Sequence, residues 1–74
     1  MKYKGDLEIG YRAAEEARRI FKRAKVMEEQ LGIGRQAVSE WGYGITPGGY
    51  FLAKLHYAGA DVIYILTGKR SKEA

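Results

Sequence analysis

The chain predicts an all-α fold, and three observations carry that reading. Apolar residues recur at steps of three and four across the first third of the sequence, the period of an amphipathic helix. The stretch Leu31-Gly32-Ile33-Gly34-Arg35-Gln36-Ala37-Val38-Ser39-Glu40-Trp41 reads as a helix, a glycine corner and a second helix. No apolar–polar alternation of the kind a half-buried strand needs runs for more than a few residues.

Residues 1–6 read as a short N-terminal arm, with Asp6 a candidate helix cap. From Leu7 onward the stripe Ala13, Ala17, Ile20, Ala24, Met27 and Leu31 is continuous, and after Gly10 no glycine or proline interrupts it before Gly32. Periodicity alone therefore allows a single helix over residues 7–31. Gly32 ends the stripe as a C-terminal glycine does. The next helix spans residues 35–41, with Val38 and Trp41 on its inner face and Arg35, Gln36, Ser39 and Glu40 turned outward, and it stops in Gly42-Tyr43-Gly44. Thr46 as N-cap and Pro47 as first helical residue open a further helix, whose apolar face is Phe51, Leu52 and Leu55 and whose end is Gly59. Asp61 caps a last helix over residues 62–66, closed by Thr67-Gly68, and a polar tail of residues 69–74 follows.

Composition bounds the function. With 74 residues, 46% hydrophobic and 30% charged, the chain has the content of one globular domain, and a core this small would gain from a partner subunit. Cysteine is absent, which excludes a disulfide framework, thiolate chemistry and a cysteine-ligated zinc finger. No apolar run reaches the length of a membrane span and no leader-like pattern opens the sequence, so a cytoplasmic protein is expected. The net charge of +4 favours an anionic partner. Two helices joined by so short a turn cross steeply and push the polar face of the second outward as a ridge, a shape that fits the major groove of DNA.

Over roughly residues 10–68 the chain resembles the helix-turn-helix repressors of temperate phages, with their lambda-repressor-like five-helix fold. Two segments carry the resemblance: Met27…Leu31-Gly32-Ile33…Val38…Trp41, and Gly59-Ala60-Asp61-Val62-Ile63-Tyr64-Ile65-Leu66-Thr67-Gly68. The resemblance implies a break near residues 21–23 that divides the first stripe into two helices, a core role for Tyr64, and a homodimer on double-stranded DNA. Two positions depart from the pattern. Glu28 stands where the motif prefers alanine, so either the helix is rotated or splayed or the carboxylate reaches out to solvent or a nearby arginine. Gly42 replaces a polar helical residue.

Carried over, the base-facing positions are Gly34, Arg35, Gln36, Ser39, Glu40 and Tyr43. Arginine pairs with guanine, glutamine with adenine, and serine with either; Glu40 accepts from cytosine or repels a wrong site. Arg23 and Lys25 are the expected phosphate contacts, whereas Arg18 and Arg19 read as a solvated face partly paired with Glu15 and Glu16. Thr46 and Gly48 are further phosphate candidates, because Thr46-Pro47-Gly48-Gly49 leaves amide groups bare at a helix start; loop sterics explain the glycines equally well. Val62, Ile65 and Leu66 share an inner face, which leaves Ile63 outward beside Gly59 and Ala60 as an apolar patch for a two-fold dimer.

The other readings are weaker. Gly32-Ile33-Gly34-Arg35-Gln36-Ala37 has the spacing of a dinucleotide-binding loop, but the residues before it read as helix rather than strand. The lone His56 has no metal-ligating company and reads as a helix-surface residue. Without a nucleophile–base pair or carboxylate dyad, no catalytic residue, cofactor or metal is expected. The principal alternative to a DNA-binding regulator is a helical interaction module in which the stripe of residues 7–31 docks a partner; a membrane-surface helix is a lesser version of it.

Overall fold

The computed structural model describes residues 7–70, which form five helices with no strand among them: α1 (Leu7–Ile20), α2 (Ala24–Leu31), α3 (Arg35–Gly42), α4 (Gly49–Tyr57) and α5 (Val62–Thr67). The arm and its cap candidate Asp6 lie outside the described residues, as do tail residues 71–74. No helix among the described residues is long and apolar enough to cross a membrane.

The first apolar stripe is interrupted where the resemblance implied, at residues 21–23. The Phe21 N–H still bonds the Ala17 carbonyl at 2.8 Å, and Arg23 then takes an extended conformation that starts α2. Both halves of the stripe turn inward: Ala13, Ala17 and Met27 are buried, Ile20 and Leu31 are half-buried against the same core, and Ala24 is half-buried. The core is completed by Ile33 from the turn, Val38 and Trp41 from α3, Leu55 from α4 and Ile65 from α5. Phe51 meets Trp41 edge-on, with ring centroids 5.7 Å apart.

α1 packs chiefly on α3 and on α5. Its crossing with α3 is a backbone contact. A Cβ on Gly10 would stand 2.7 Å from the Trp41 carbonyl oxygen and 2.6 Å from that of Ile45. Ala13, Ala14 and Ala17 continue the same close approach along the helix. Two residues past α3, Gly44 has a φ of 101°, strained for any side-chain-bearing residue; its N–H bonds the Trp41 carbonyl and the Ile45 N–H bonds the Glu40 carbonyl, closing the helix end.

α1 also grips α5 at both ends. Glu16 is fully buried, yet every oxygen is used. Its Oε1 accepts from the Asp61 backbone N–H at 2.9 Å, both oxygens accept from the Arg19 guanidinium at 2.8 and 3.0 Å, and Oε2 accepts from Arg70 at 3.0 Å. At the opposite end the Arg12 Nε donates to the Ile65 carbonyl at 2.9 Å. A helix of six residues is too short to hold itself together, and here it has a carboxylate at its amino end and a guanidinium at its carboxyl end, the signs its dipole favours. Asp61 caps it as expected, accepting from the Tyr64 N–H at 3.0 Å.

Four expectations are corrected. Thr46 is not a cap: α4 starts at Gly49 with Gly48 as its cap residue, and Pro47 is buried in the preceding loop rather than opening the helix. Tyr64 is not core, because the grip on α5 turns Ile65 inward instead. The Tyr64 ring lies half-buried beneath the Arg70 guanidinium at 3.8 Å, and its hydroxyl donates to Glu15 at 2.7 Å. Leu66 leaves the inner face for the same reason and is 42% exposed. Arg70 does not belong to a free tail, since Glu16 holds it.

Gly10→Ala sets a helix-propensity gain of about 1 kcal/mol against a clash with two carbonyls that cannot rotate away. The clash should win, for a net loss of about 1–3 kcal/mol in urea unfolding; a variant as stable as the parent would refute the close approach. Hydrogen bonds from Arg19, aided by those from Asp61 and Arg70, lower the Glu16 pKa from 4.5 to about 2 against the opposing effect of burial. A depressed folded-state pKa contributes stability that is complete above the unfolded value and is lost as pH falls from about 4.5 to about 2, in all up to about 3 kcal/mol. Glu16→Gln should flatten that acid limb. Thermal unfolding from pH 5 to pH 2 reads it, and an identical pH dependence in the variant would assign the limb elsewhere.

Candidate nucleic-acid interface

α2 and α3 are joined by residues 32–34 alone. Gly32 ends α2 in the left-handed region at φ 70°, its N–H bonding the Glu28 carbonyl, and its flexibility lets the chain reverse without a longer loop. Ile33 then drops into the core with no exposed surface, and Gly34 is the extended cap residue of α3. The inner face of α3 is spent on Val38 and Trp41, with Ala37 half-buried. Arg35, Gln36, Ser39 and Glu40 are all exposed, which leaves a continuous polar face of one arginine, one amide, one hydroxyl and one carboxylate.

Gly34 is half-buried at the start of α3, and Tyr43, just past its end, is 84% exposed. Arg23 and Lys25 project from the start of α2, both exposed. Thr46 and Gly48 are exposed in the connection to α4. A Cβ on Gly48 or Gly49 would meet nothing within 4 Å, and neither residue has a positive φ, so packing within the chain does not require glycine at either position. The cap residue Gly48 supplies no side-chain acceptor to the α4 amide groups. Gly59 and Ile63 lie far along the chain from these residues, on the α4–α5 side; Ile63 is 50% exposed and shares an open groove with Leu52, Ala53, Tyr57 and Ala60.

Two features escape the sequence reading. Glu28, the departure from the motif, is exposed and directs its Oε2 at the Arg35 backbone N–H across 3.4 Å. It thus supplies the acceptor that the cap residue Gly34 lacks, at the positive end of α3. Arg18, read as a solvated cation, lies with Lys22 beside α3, where both line a cleft with Arg35 and Ser39. The sequence held one cue, the acid-free run of Arg18, Arg19, Lys22, Arg23 and Lys25, of which Arg19 turns back to Glu16. His56 is on the surface of α4, as expected. Lys54 instead bends back, its Nζ bonding the Leu31 carbonyl at 2.6 Å and so satisfying the end of α2.

The side chains of Arg18, Lys22, Arg23, Lys25 and Arg35 pair with no carboxylate among the described residues, whereas Arg12, Arg19 and Arg70 are all in ion pairs. The unpaired cations come from the end of α1, the break, the start of α2 and the start of α3. Such an arrangement suits a polyanion whose charges are spaced along a strand, and α3 adds groups able to hydrogen-bond base edges. No protein-family model, curated protein or solved structure matches this chain.

Proposed function

We propose that this chain is a sequence-specific DNA-binding transcriptional regulator of the phage or prophage repressor and Cro-like kind, which occupies an operator as a homodimer and performs no catalysis. The observation that carries the reading is the division of α3: Val38 and Trp41 anchor it to the core, while Arg35, Gln36, Ser39 and Glu40 stand exposed after a minimal turn. In the major groove Arg35 donates to guanine O6 and N7, and Gln36 pairs with adenine. Arg23 and Lys25 neutralise phosphates, and the amide groups behind Gly48 approach the backbone where no side chain intervenes. Tyr43 and Thr46 border the same surface. The interaction-module alternative has less support, since Ala13, Ala17 and Met27 of its docking stripe are already buried in this chain's own core.

The dimer is read from the α4–α5 side. Ile63 is half exposed beside Gly59 on an open groove whose apolar part includes Leu52, Ala53 and Tyr57 and whose polar edge includes Arg19, His56 and Arg70. A second copy seated there covers apolar surface that a core this small leaves open. Two-fold pairing through α5 sets the two α3 helices about 34 Å apart, one turn of a near-palindromic site.

Selection of bound sites from random duplexes tests the DNA-binding reading and reports half-site spacing in one experiment. Arg35→Ala and Gln36→Ala should each cost about 1–3 kcal/mol of specific binding and relax preference at one base position per half-site. Their melting temperatures should hardly move, because both side chains are exposed. A variant that binds its best site as tightly as the parent removes that residue from the reading face. For the dimer, Ile63→Lys should sediment as a monomer and bind a palindromic site more weakly than the parent; an unchanged dimer rules out this interface.

A further inference from the structure

Between the end of α1, the start of α2 and the exposed face of α3 lies a cleft of about 260 Å³ lined by Arg18, Lys22, Arg35 and Ser39 above an apolar floor that includes Met27 and Val38. Pockets that enclose drug-sized ligands run to about 300–1,000 Å³. This one suits a single small group. Three cations and a hydroxyl converge on it, and no carboxylate lines it. None of the three cationic side chains is in an ion pair among the described residues, so the cleft holds unneutralised positive charge at rest. Arg18 alone could be explained by the α1 carboxyl end, whose free carbonyls favour a cation. Lys22, just past that end, is favoured in the same way, but Arg35 belongs to the amino end of α3, where the dipole disfavours positive charge. Helix electrostatics therefore does not account for Arg35 in this cleft.

We infer that this cleft is a phosphodiester seat, in which Arg18 and Lys22 clamp one backbone phosphate of the duplex and the Ser39 hydroxyl donates to it, while Arg35 bridges from the seat to the base edges. This rests on the DNA-binding reading and deepens it. The break at residues 21–23 then has a task, since it delivers Lys22 to the same side as α3 instead of continuing α1 past it. The seat also fixes register: a phosphate held at Ser39 determines how deep α3 enters the groove and which base pair Arg35 meets. Arg18 and Ser39 are accordingly phosphate ligands, in place of the solvated and base-reading roles the sequence suggests for them.

The test compares wild type, Lys22→Ala, Arg18→Ala/Lys22→Ala and Lys69→Ala on the best duplex selected by wild type and on an unrelated duplex, over a series of salt concentrations. Lys69→Ala controls for net charge, being an exposed cation beyond α5. The double variant should lose about ten-fold in affinity for both duplexes, the worth of a charged hydrogen-bonding contact. Its log K against log salt slope should flatten by about 1, the loss of one neutralised phosphate. Lys22→Ala, which alters no helical residue, should show the same trend in smaller degree, and Lys69→Ala should match wild type. Unchanged affinity and slope in both cleft variants would overturn the seat and leave the DNA-binding reading standing. So would a changed sequence preference, which would make these residues base readers. If wild type binds neither duplex at low salt, the DNA-binding reading fails, and the seat with it.

Discussion

Where α1 crosses the end of α3, helix backbone meets carbonyl oxygen with no side chain between them, because Gly10 has none to interpose. The contact is short on the scale of helix packing, in which side chains ordinarily hold axes about 8–10 Å apart. Gly10, Ala13, Ala14 and Ala17 together make α1 the thin element of the domain, and the others assemble around it. α3 can lie flat on α1 only because of that thinness, and its polar face is outward because Val38 and Trp41 are committed inward. α5 is held by the same helix through polar groups: Glu16 at one end and Arg12 at the other. One helix thus sets the position of both α3 and Ile63, the two features on which a dimeric reading of DNA would depend.

The cations divide by what they touch. Arg12, Arg19, Lys54 and Arg70 are engaged inside the domain, with carbonyls at helix ends or with the buried Glu16 carboxylate. A buried carboxylate without donors would be costly, so removing Arg19 or Arg70 would trouble the fold before it troubled any partner. Arg18, Lys22, Arg23, Lys25 and Arg35 make no such contacts, and three of them converge on one cleft. A net charge of +4 says little by itself; among the described residues the cations with neither an ion pair nor a carbonyl partner, Lys69 apart, lie at the end of α1, in the break and on α2 and α3, where a phosphate backbone would use them.

Much of this was legible in the sequence, and the misses have common causes. α3 and α5 announce themselves through glycines, an aspartate cap and apolar residues at helical spacing, all local signals. The break at residues 21–23 carries no glycine or proline and is invisible to periodicity; only the family resemblance implied it. Thr46-Pro47 has the chemistry of a helix start, but Pro47 is drawn into the core and the helix waits for Gly49. Glu16 occupies a stripe position between Ala13 and Ala17, yet its burial depends on donors 45 and 54 residues away, which no local pattern encodes. The inner face of α5 is set by such long-range contacts, so Leu66, placed by spacing, and Tyr64, placed by the resemblance, both lie away from the core.

Glu28 and Glu40 show why exposed carboxylates beside a cationic surface need not contradict a nucleic-acid partner. Glu28 lies at the amino end of α3, where the bare helix would offer backbone N–H groups and partial positive charge to any anion. With a carboxylate already directed at the Arg35 N–H, that end is satisfied within the protein, and a phosphate arriving there meets like charge. Glu40 has no cationic partner among the described residues and stands on the outward face between Ser39 and Trp41. In the groove it could accept from a cytosine or adenine amine, and against guanine or thymine it would remain desolvated and unpaired, a penalty rather than a neutral contact. If α3 enters a groove, non-specific affinity would thereby be lowered along it while the cations at its margins stay unpaired with carboxylates among the described residues. A surface built so would bind duplexes in general only weakly, and would separate one sequence from another by the cost of a wrong fit as much as by the gain of a right one.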